Sequence, residues 1–475
     1  MKKYILLLLV ALSINTNAQE IINSFNLQNA KDRSVFQVVD EKNNNITVFF
    51  TDKYKIKTIK FDENLKIVDS FSVARLEKRF SSIKGYSKKD NKYFLYWNDN
   101  KDKEIGVQCI DLKSRSVVNS VIGFIPQKEM QIQNITVNNV FYMIYCPRDS
   151  NILKFYKIQE DKIETNSTDF SKEQFTATEE DGVTLYKLLR EGISEYEPSN
   201  SMQLISNENP NSLALTAKKR KLYVTDNKLT FTFDNNTNFT QLLSINLNDY
   251  TYTKTNINQT FSSAEDEFND NSNSFLVNEK LFQIKLNSDM LMLSVKDKDQ
   301  KEISKYEAIY EKPITFKNSE ILQENGDPQS IRVLEKSNQF IRKLGNMNPA
   351  ISVYFKDGNY IATTGCVSTL VENNAALMAG MFGIAGVLIG AALSSNSGVN
   401  NLDSYNGRKV VYLNSKFDEN GNHVNGELKP LAFDKMRRFA YENKKTTDIM
   451  IFKFKGNLYY GSCKDQVYTF YKFTE

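Results

Sequence analysis

Short runs of aromatic and β-branched residues recur along the chain, each closed off by Asn, Asp, Lys or Gly. They lie at 46–50 (ITVFF), 93–97 (YFLYW), 141–145 (FYMIY), 229–233 (LTFTF), 281–286 (LFQIKL), 351–355 (ISVYF) and 449–454 (IMIFKF). Residues of these types suit a pleated, half-buried surface, so each run predicts a strand. Polar turns such as Asn43-Asn44-Asn45, Lys89-Asp90-Asn91, Asn138-Asn139 and Asp226-Asn227 precede them. A second strand is expected after most of these runs, at 56–61, 105–110, 152–158 and 241–245. A third turn follows, as at Asp62-Glu63-Asn64, and a further short strand leaves it at 66–70 and again at 116–121. Helix is expected only over 183–190, 331–342 and 375–393.

The first three runs start at 46, 93 and 141, at intervals of 47 and 48 residues. A period in the forties carrying about four short strands is the mark of a β-propeller blade. The next interval, 88 residues, contains the polar stretch 160–180 and holds one degenerate blade or a long insertion. The expected fold is all-β, a propeller of six to eight four-stranded blades over 19–475, with seven units visible. A two-domain β-sandwich protein would carry the same alternation, but the regular spacing favours the propeller. On this pattern the chain resembles the β-propeller superfamily of exported bacterial proteins over most of 20–475. It shows no GH…WD signature and no kelch double glycine, and Trp97 is its single Trp. The resemblance implies a fold and a ligand or partner surface on the loops at one face of the disc, or at the central channel.

A late blade is interrupted by the Gly/Ala-rich segment 375–393, AALMAGMFGIAGVLIGAAL, without a charge for 19 residues. As a helix it would reach about 28 Å, close to the thickness of a bilayer core. Ala375, Ala379 and Gly383, then Gly386 and Gly390, recur at four-residue spacing. Such stripes let two helix backbones approach closely, so these five residues are the candidates for membrane contact or self-association. Strand patterning stops near Gly365 and resumes near Lys409, which places an insertion over 366–407. A full span would strand the last residues on the far side of the membrane from the first blades. No Lys or Arg occurs between Ser394 and Gly407 to orient a span. An exposed helix of this composition exceeds the apolar patch a soluble protein tolerates, so its contact is a membrane, another copy or the propeller itself.

Residues 1–18 read as a secretory signal peptide. Lys2 and Lys3 form a basic start, 4–12 is apolar, and a polar stretch ends at Ala18, with Gln19 as the expected first mature residue. The apolar run is too short to span a membrane. The chain is therefore expected in the periplasm, on the outer-membrane surface or outside the cell. Its net charge of +4 falls to +2 without the leader, which supplies no general attraction for nucleic acid. Cys109, Cys146, Cys366 and Cys463 form no CxxC, which argues against zinc-ribbon and thioredoxin chemistry. They are expected either as disulfides or as buried free thiols.

His423, the single histidine, sits in the hairpin-like stretch 418–423 (DENGNH). No GxSxG nucleophile elbow accompanies it, and the Asn-Gly pair reads as turn chemistry. The stretch is rich in oxygen ligands but lacks EF-hand spacing. P-loop, GxGxxG and HExxH motifs are missing. No catalytic, cofactor-binding or metal-ligating residue is therefore nominated, and no cofactor is expected. The basic clusters 218–221 (KKRK) and Lys435, Arg437 and Arg438 read as solvated turns or outer strands. The leading functional expectation is a non-catalytic exported scaffold that binds a protein, peptide or glycan in the cell envelope. Two alternatives stand beside it. One is a hydrolase or lyase using carboxylates or Tyr in the channel. The other is a membrane-associated or self-assembling envelope protein using 375–393.

Overall fold

A computed structural model describes residues 19–28, 33–99, 103–123, 126, 128–178, 180–191, 202–260, 271–368, 399, 401–402 and 404–474. The leader 1–18 and the apolar segment 375–393, with its five small residues, lie outside the described residues.

Successive antiparallel strands build one sheet after another. Sheet 1 is Ser34–Asp40, Asn45–Thr51, Lys55–Phe61 and Ile67–Ala74. Sheet 2 is Phe80–Lys89, Lys92–Asp99, Glu104–Asp111 and Ser116–Gly123, and sheet 3 is Glu129–Val137, Val140–Pro147, Ile152–Gln159 and Lys162–Asp169. Sheet 4 adds a parallel edge strand, Gln203–Ile205, to Arg220–Thr225, Lys228–Phe233, Phe239–Asn246 and Tyr252–Asn258. Sheet 5 is Asn271–Val277, Lys280–Leu286, Met290–Lys296 and Glu302–Ile309. Sheet 6 has the order Ile331–Leu334, Ile321–Glu324, Val410–Asp418, Asn359–Val367, Asn348–Lys356. Sheet 7 joins Thr447–Phe454, Asn457–Lys464 and Val467–Phe473 to the N-terminal strand Gln19–Asn26, paired from Gln19↔Phe473 to Asn26↔Val467. A two-stranded ribbon, Phe175–Thr176 with Asp181–Val183, stands apart. Helices among the described residues include α1 (Leu185–Arg190), α2 (Leu213–Thr216), α3 (Ser337–Gly345) and α4 (Ala432–Glu442).

The polar turns between runs have the backbone a tight hairpin needs. Both central residues are left-handed at Asn138-Asn139 (φ 49° and 63°) and at Asn278-Glu279 (φ 45° and 60°). This is the geometry that matches the twist of the flanking strands. The middle strands are buried almost continuously, as in Tyr93–Trp97, because a neighbouring sheet covers each face. Phe49 and Tyr93 join sheets 1 and 2 with ring centroids 5.5 Å apart, and Tyr96 stacks on Phe141 of sheet 3 at 5.0 Å. Helix α1 fills the gap between sheets 3 and 4, burying Leu185, Leu188 and Leu189. Tyr223 meets Phe275 of sheet 5, and Phe282 meets Tyr360 of sheet 6. Sheet 7 packs back on sheet 1 through Phe50 and Tyr468 (5.0 Å), and Gln37 Nε2 donates to the Ile451 carbonyl at 3.2 Å.

Several expectations need correction. Residues 331–334 form a strand, not helix, and the helix begins at Ser337. Helix α4 stands where no helix was expected. The 88-residue interval contains no further four-stranded sheet among the described residues. The runs at 46, 93, 141 and 281 are inner neighbours of an earlier edge strand and the run at 229 is the central strand of sheet 4, whereas 351–355 and 449–454 are themselves edge strands of sheets 6 and 7. Cys366 and Val367 remain in the sheet, paired with Val411 and Val410, so the chain departs after them rather than at 366. All four cysteines are free thiols, each in a different sheet.

Candidate functional site

Two hairpins with matching tips stand at the junction of sheets 6 and 7. Each turns through two left-handed residues ending in glycine, Asp357-Gly358 (φ 48° and 72°) and Lys455-Gly456 (φ 48° and 75°). Between them lies a cleft of about 340 Å3. Its floor is apolar, made by Phe433 at the start of α4, Leu458, and Phe473 at the end of the last strand, all buried. Its rim is polar: Asn209, Tyr354, Lys356, Asp357, Lys453 and Asn457. Lys453 Nζ donates one hydrogen bond to the Glu208 carbonyl at 3.1 Å, and Lys356 Nζ lies 3.9 Å from Asp357 Oδ2. Lys435 Nζ ties down the end of the last strand through the Thr474 carbonyl (2.8 Å). The Lys455 ammonium is directed away, to Glu63 at 3.2 Å.

The floor helix is held by a second cluster. Arg437 Nη2 donates to Glu324 Oε2 at 2.6 Å, and Tyr412 Oη donates to Glu324 Oε1 at 2.6 Å. The guanidinium lies 4.3 Å above the Tyr405 ring, whose hydroxyl accepts from the Leu213 N–H at 2.9 Å. Burial pushes the Arg437 pKa down, but Glu324 more than compensates and leaves it above its usual range. Of the second basic cluster, then, Arg437 is no solvated charge, because a carboxylate 113 positions away faces it.

The KKRK stretch turns inward as well. Lys221 Nζ and Asp234 Oδ2 are 2.9 Å apart with both side chains fully buried, and Asn273 Oδ1 accepts from the same ammonium at 2.7 Å. Asp234 also accepts from Ser274 N (3.1 Å), Ser274 Oγ (2.9 Å) and Thr240 Oγ1 (2.7 Å). Burial raises the Asp234 pKa, but the Lys221 charge and the hydrogen bonds outweigh it and hold the carboxyl below its usual range. Burial lowers Lys221, opposed by Asp234. Lys219 directs its ammonium to Asn271 Oδ1 (2.6 Å) and the Ser272 carbonyl, and burial brings its pKa down to about 8. Arg220 donates to the carbonyls of Leu188 and Glu191 (3.0 and 2.6 Å). These groups staple sheet 4 to sheet 5 and to α1, and they bind each other.

His423 is half-buried rather than solvated. Its backbone N–H donates to Tyr306 Oη at 2.8 Å, and ring Nε2 lies 2.9 Å from Asn318 Oδ1. Burial lowers its pKa below the usual imidazole range. The Asp418 carboxylate beside it accepts from the backbone of Asn420 (2.9 Å) and Asn422 (2.8 Å), a turn closure. Among the described residues no three or more His, Cys, Asp or Glu side chains gather as a metal site. Ala375, Ala379, Gly383, Gly386 and Gly390 lie outside the described residues. The base of their segment is firm: Ser368 N donates to the Lys409 carbonyl at 2.9 Å, and Lys409 N to Ser368 Oγ at 3.0 Å. Downstream, Asn401 Oδ1 accepts from Ser212 N at 2.6 Å, and Leu402 packs with Phe433 of the cleft floor. No described helix is long and apolar enough to cross a membrane.

No family model and no curated protein matches this chain. Solved structures similar to part of it include the dihydro-heme d1 dehydrogenase NirN, at 10% identity over 58% of this chain and 48% of that one, with a TM-score of 0.26. A cobalt-substituted apocarotenoid oxygenase from Synechocystis is similar at 6% identity over 57% of this chain and 60% of that one (TM-score 0.27). A prolyl endopeptidase is similar at 10% identity over 70% and 41% (TM-score 0.28). The chain spans about half the length of the first of these. Likeness at this level carries no functional argument, and the architecture rests on the sheets themselves.

Proposed function

We propose that this chain is an exported, non-catalytic β-propeller that binds a protein, peptide or glycan in the cell envelope, with the cleft between sheets 6 and 7 as its ligand site. In this reading sheets 1–7 are seven blades, and the N-terminal strand closes the ring by completing the last one. The fold reading is supported by the pairing of Gln19–Asn26 with Val467–Phe473 and by the packing of sheet 7 on sheet 1. The functional reading rests on one contrast. The buried ionic groups pair with each other between sheets, Lys221 with Asp234 and Arg437 with Glu324, while the open cleft offers lysines and amides above a buried apolar floor. That is an inventory for holding a ligand.

The test is to assay the purified 19–475 chain on peptide and glycan arrays and, in parallel, on chromogenic ester, peptide and glycoside substrates. Saturable binding that Lys453→Glu weakens, without turnover, is expected. Turnover that a cleft substitution abolishes would replace the scaffold with a hydrolase. Export is tested by mass spectrometry of the mature protein, with Gln19 expected first; a mature chain starting at Met1 refutes it. The second reading, membrane or self-association through 375–393, is supported by the 19 uncharged residues of that segment and the four-residue spacing of its small residues. Carbonate washing of membranes, with and without that segment, tests it.

A further inference from the structure

We propose that the outer edge of sheet 2, the strand Ser116–Gly123, pairs antiparallel with the same strand of a second copy of this chain, so that the protein forms a twofold dimer. This goes beyond the ligand reading above and uses neither the cleft nor the segment 375–393.

The edge is open. The strand ends its sheet, paired with Glu104–Asp111 on one side and with no strand on the other among the described residues. It is held from both faces, since Val117 packs on the cluster shared by sheets 1 and 2 and Ile122 on the cluster shared by sheets 2 and 3. What it leaves outside is apolar: Val118 is 66% and Val121 43% exposed. A row of free N–H and C=O groups is a template for another strand, and proteins blunt such edges with charged side chains. The outer edges of the other sheets each carry at least one, namely Asp69 in sheet 1, Glu164 in sheet 3, Lys254 in sheet 4, Lys305 in sheet 5, Arg332 in sheet 6 and Glu20 in sheet 7. Ser116–Gly123, SVVNSVIG, carries none. The match for an uncharged, exposed edge is another of the same kind, and a second copy supplies it. The sequence also supplies a register. Identical antiparallel strands meet about a twofold axis at which one residue faces its own counterpart. About Asn119, Val117 faces Val121 of the second copy on one side of the sheet, and Val118 faces Ser120 of the second copy on the other, each pair occurring twice. The two exposed Asn119 amides meet on the axis, where each can donate to the other's carbonyl oxygen. No charge opposes a like charge. The pairing consumes the uncharged outer edge of each copy, so assembly closes at two instead of growing into a fibre.

The experiment is sedimentation velocity on the intact 19–475 chain across a concentration series. A strand pair is a small interface, so a monomer–dimer equilibrium with a Kd on the order of tens of micromolar is expected, and the series should run from about 1 to 200 μM. Asn119→Lys sets two ammonium groups face to face and should weaken the dimer at least about tenfold, as should Asn119→Glu with two carboxylates. An equimolar mixture of the two variants should dimerise again, because the opposed charges then attract. Ile21→Lys, at a similarly exposed residue on the outer edge of sheet 7, should leave the dimer unchanged. All these positions are exposed, so circular dichroism should stay that of wild type. A wild-type chain that is monomeric throughout the series, a dimer indifferent to Asn119→Lys, a mixture that fails to reassociate, or growth beyond the dimer overturns the proposal. So does a dimer that is lost when 369–398 is replaced by a Gly/Ser linker, which assigns the association to the inserted segment.

Discussion

Replacing Asp234 with alanine removes a carboxylate that is fully buried and receives hydrogen bonds from Lys221 (2.9 Å), Thr240 (2.7 Å) and Ser274 (2.9 Å to Oγ). The Lys221 ammonium is then left in the interior with Asn273 alone. Breaking a buried pair by deleting one partner costs about 3–5 kcal/mol, a large share of the roughly 5–15 kcal/mol that holds a domain folded. Asp234→Asn loses the charge and one acceptor but keeps one oxygen, which can stay with Ser274 and Lys221 while the amide N–H faces the Thr240 hydroxyl, so its cost should be smaller. The pH dependence is distinctive. In the alanine variant the folded state favours neutral Lys221, whereas the unfolded chain keeps it protonated up to about pH 10.4. The unfolded state therefore binds more protons, and stability rises with pH. Urea titrations at pH 7 and pH 9.5 should show the deficit against wild type shrinking at the higher pH. A loss below about 1 kcal/mol, or a deficit that does not narrow with pH, would show that water reaches the pair and that it is no staple.

Lys219, with a folded pKa of about 8 against its usual 10.5, should make wild-type stability climb between those pH values, and Lys219→Met should flatten that part of the urea-midpoint profile. Gly365→Ala should destabilise by about 1–3 kcal/mol, read as a lowered Tm, because a Cβ there would meet the Val411 carbonyl oxygen at 2.0 Å and both groups are backbone in the same sheet. Replacing 369–398 with a short Gly/Ser linker should leave a folded β protein by circular dichroism, since strand pairing reaches Val367↔Val410 and loop length costs only about 0.6 kcal/mol per doubling. A variant that fails to fold would place that segment in the core.

The strands most visible in the sequence are those buried on both faces. Runs such as YFLYW and FYMIY announce themselves because a sheet packed on each side demands continuous apolar residues, and the Asn and Asp pairs between strands report their own left-handed turns. The strands that open sheets 1 to 5 escaped notice for the converse reason. Phe80–Lys89 reads FSSIKGYSKK and breaks its register twice against its neighbour, so its alternation is spoiled where the polar residues fall. Helix α4 did leave a signal, with Phe433, Met436 and Phe439 three apart on one buried face, but the basic residues between them masked it.

The sequence by itself determined the element type, the turn positions and the period, since these depend on neighbours within a few residues along the chain. Only the tertiary structure decided the fate of the charges and the place of the cleft. Whether Lys221 or Arg437 is solvated depends on carboxylates that other strands deliver. The cleft is lined from position 209 to position 474, so its residues share no local pattern. Burial and pairing are properties of a three-dimensional neighbourhood, and a charged residue in a polar stretch carries no mark of which neighbourhood it will enter.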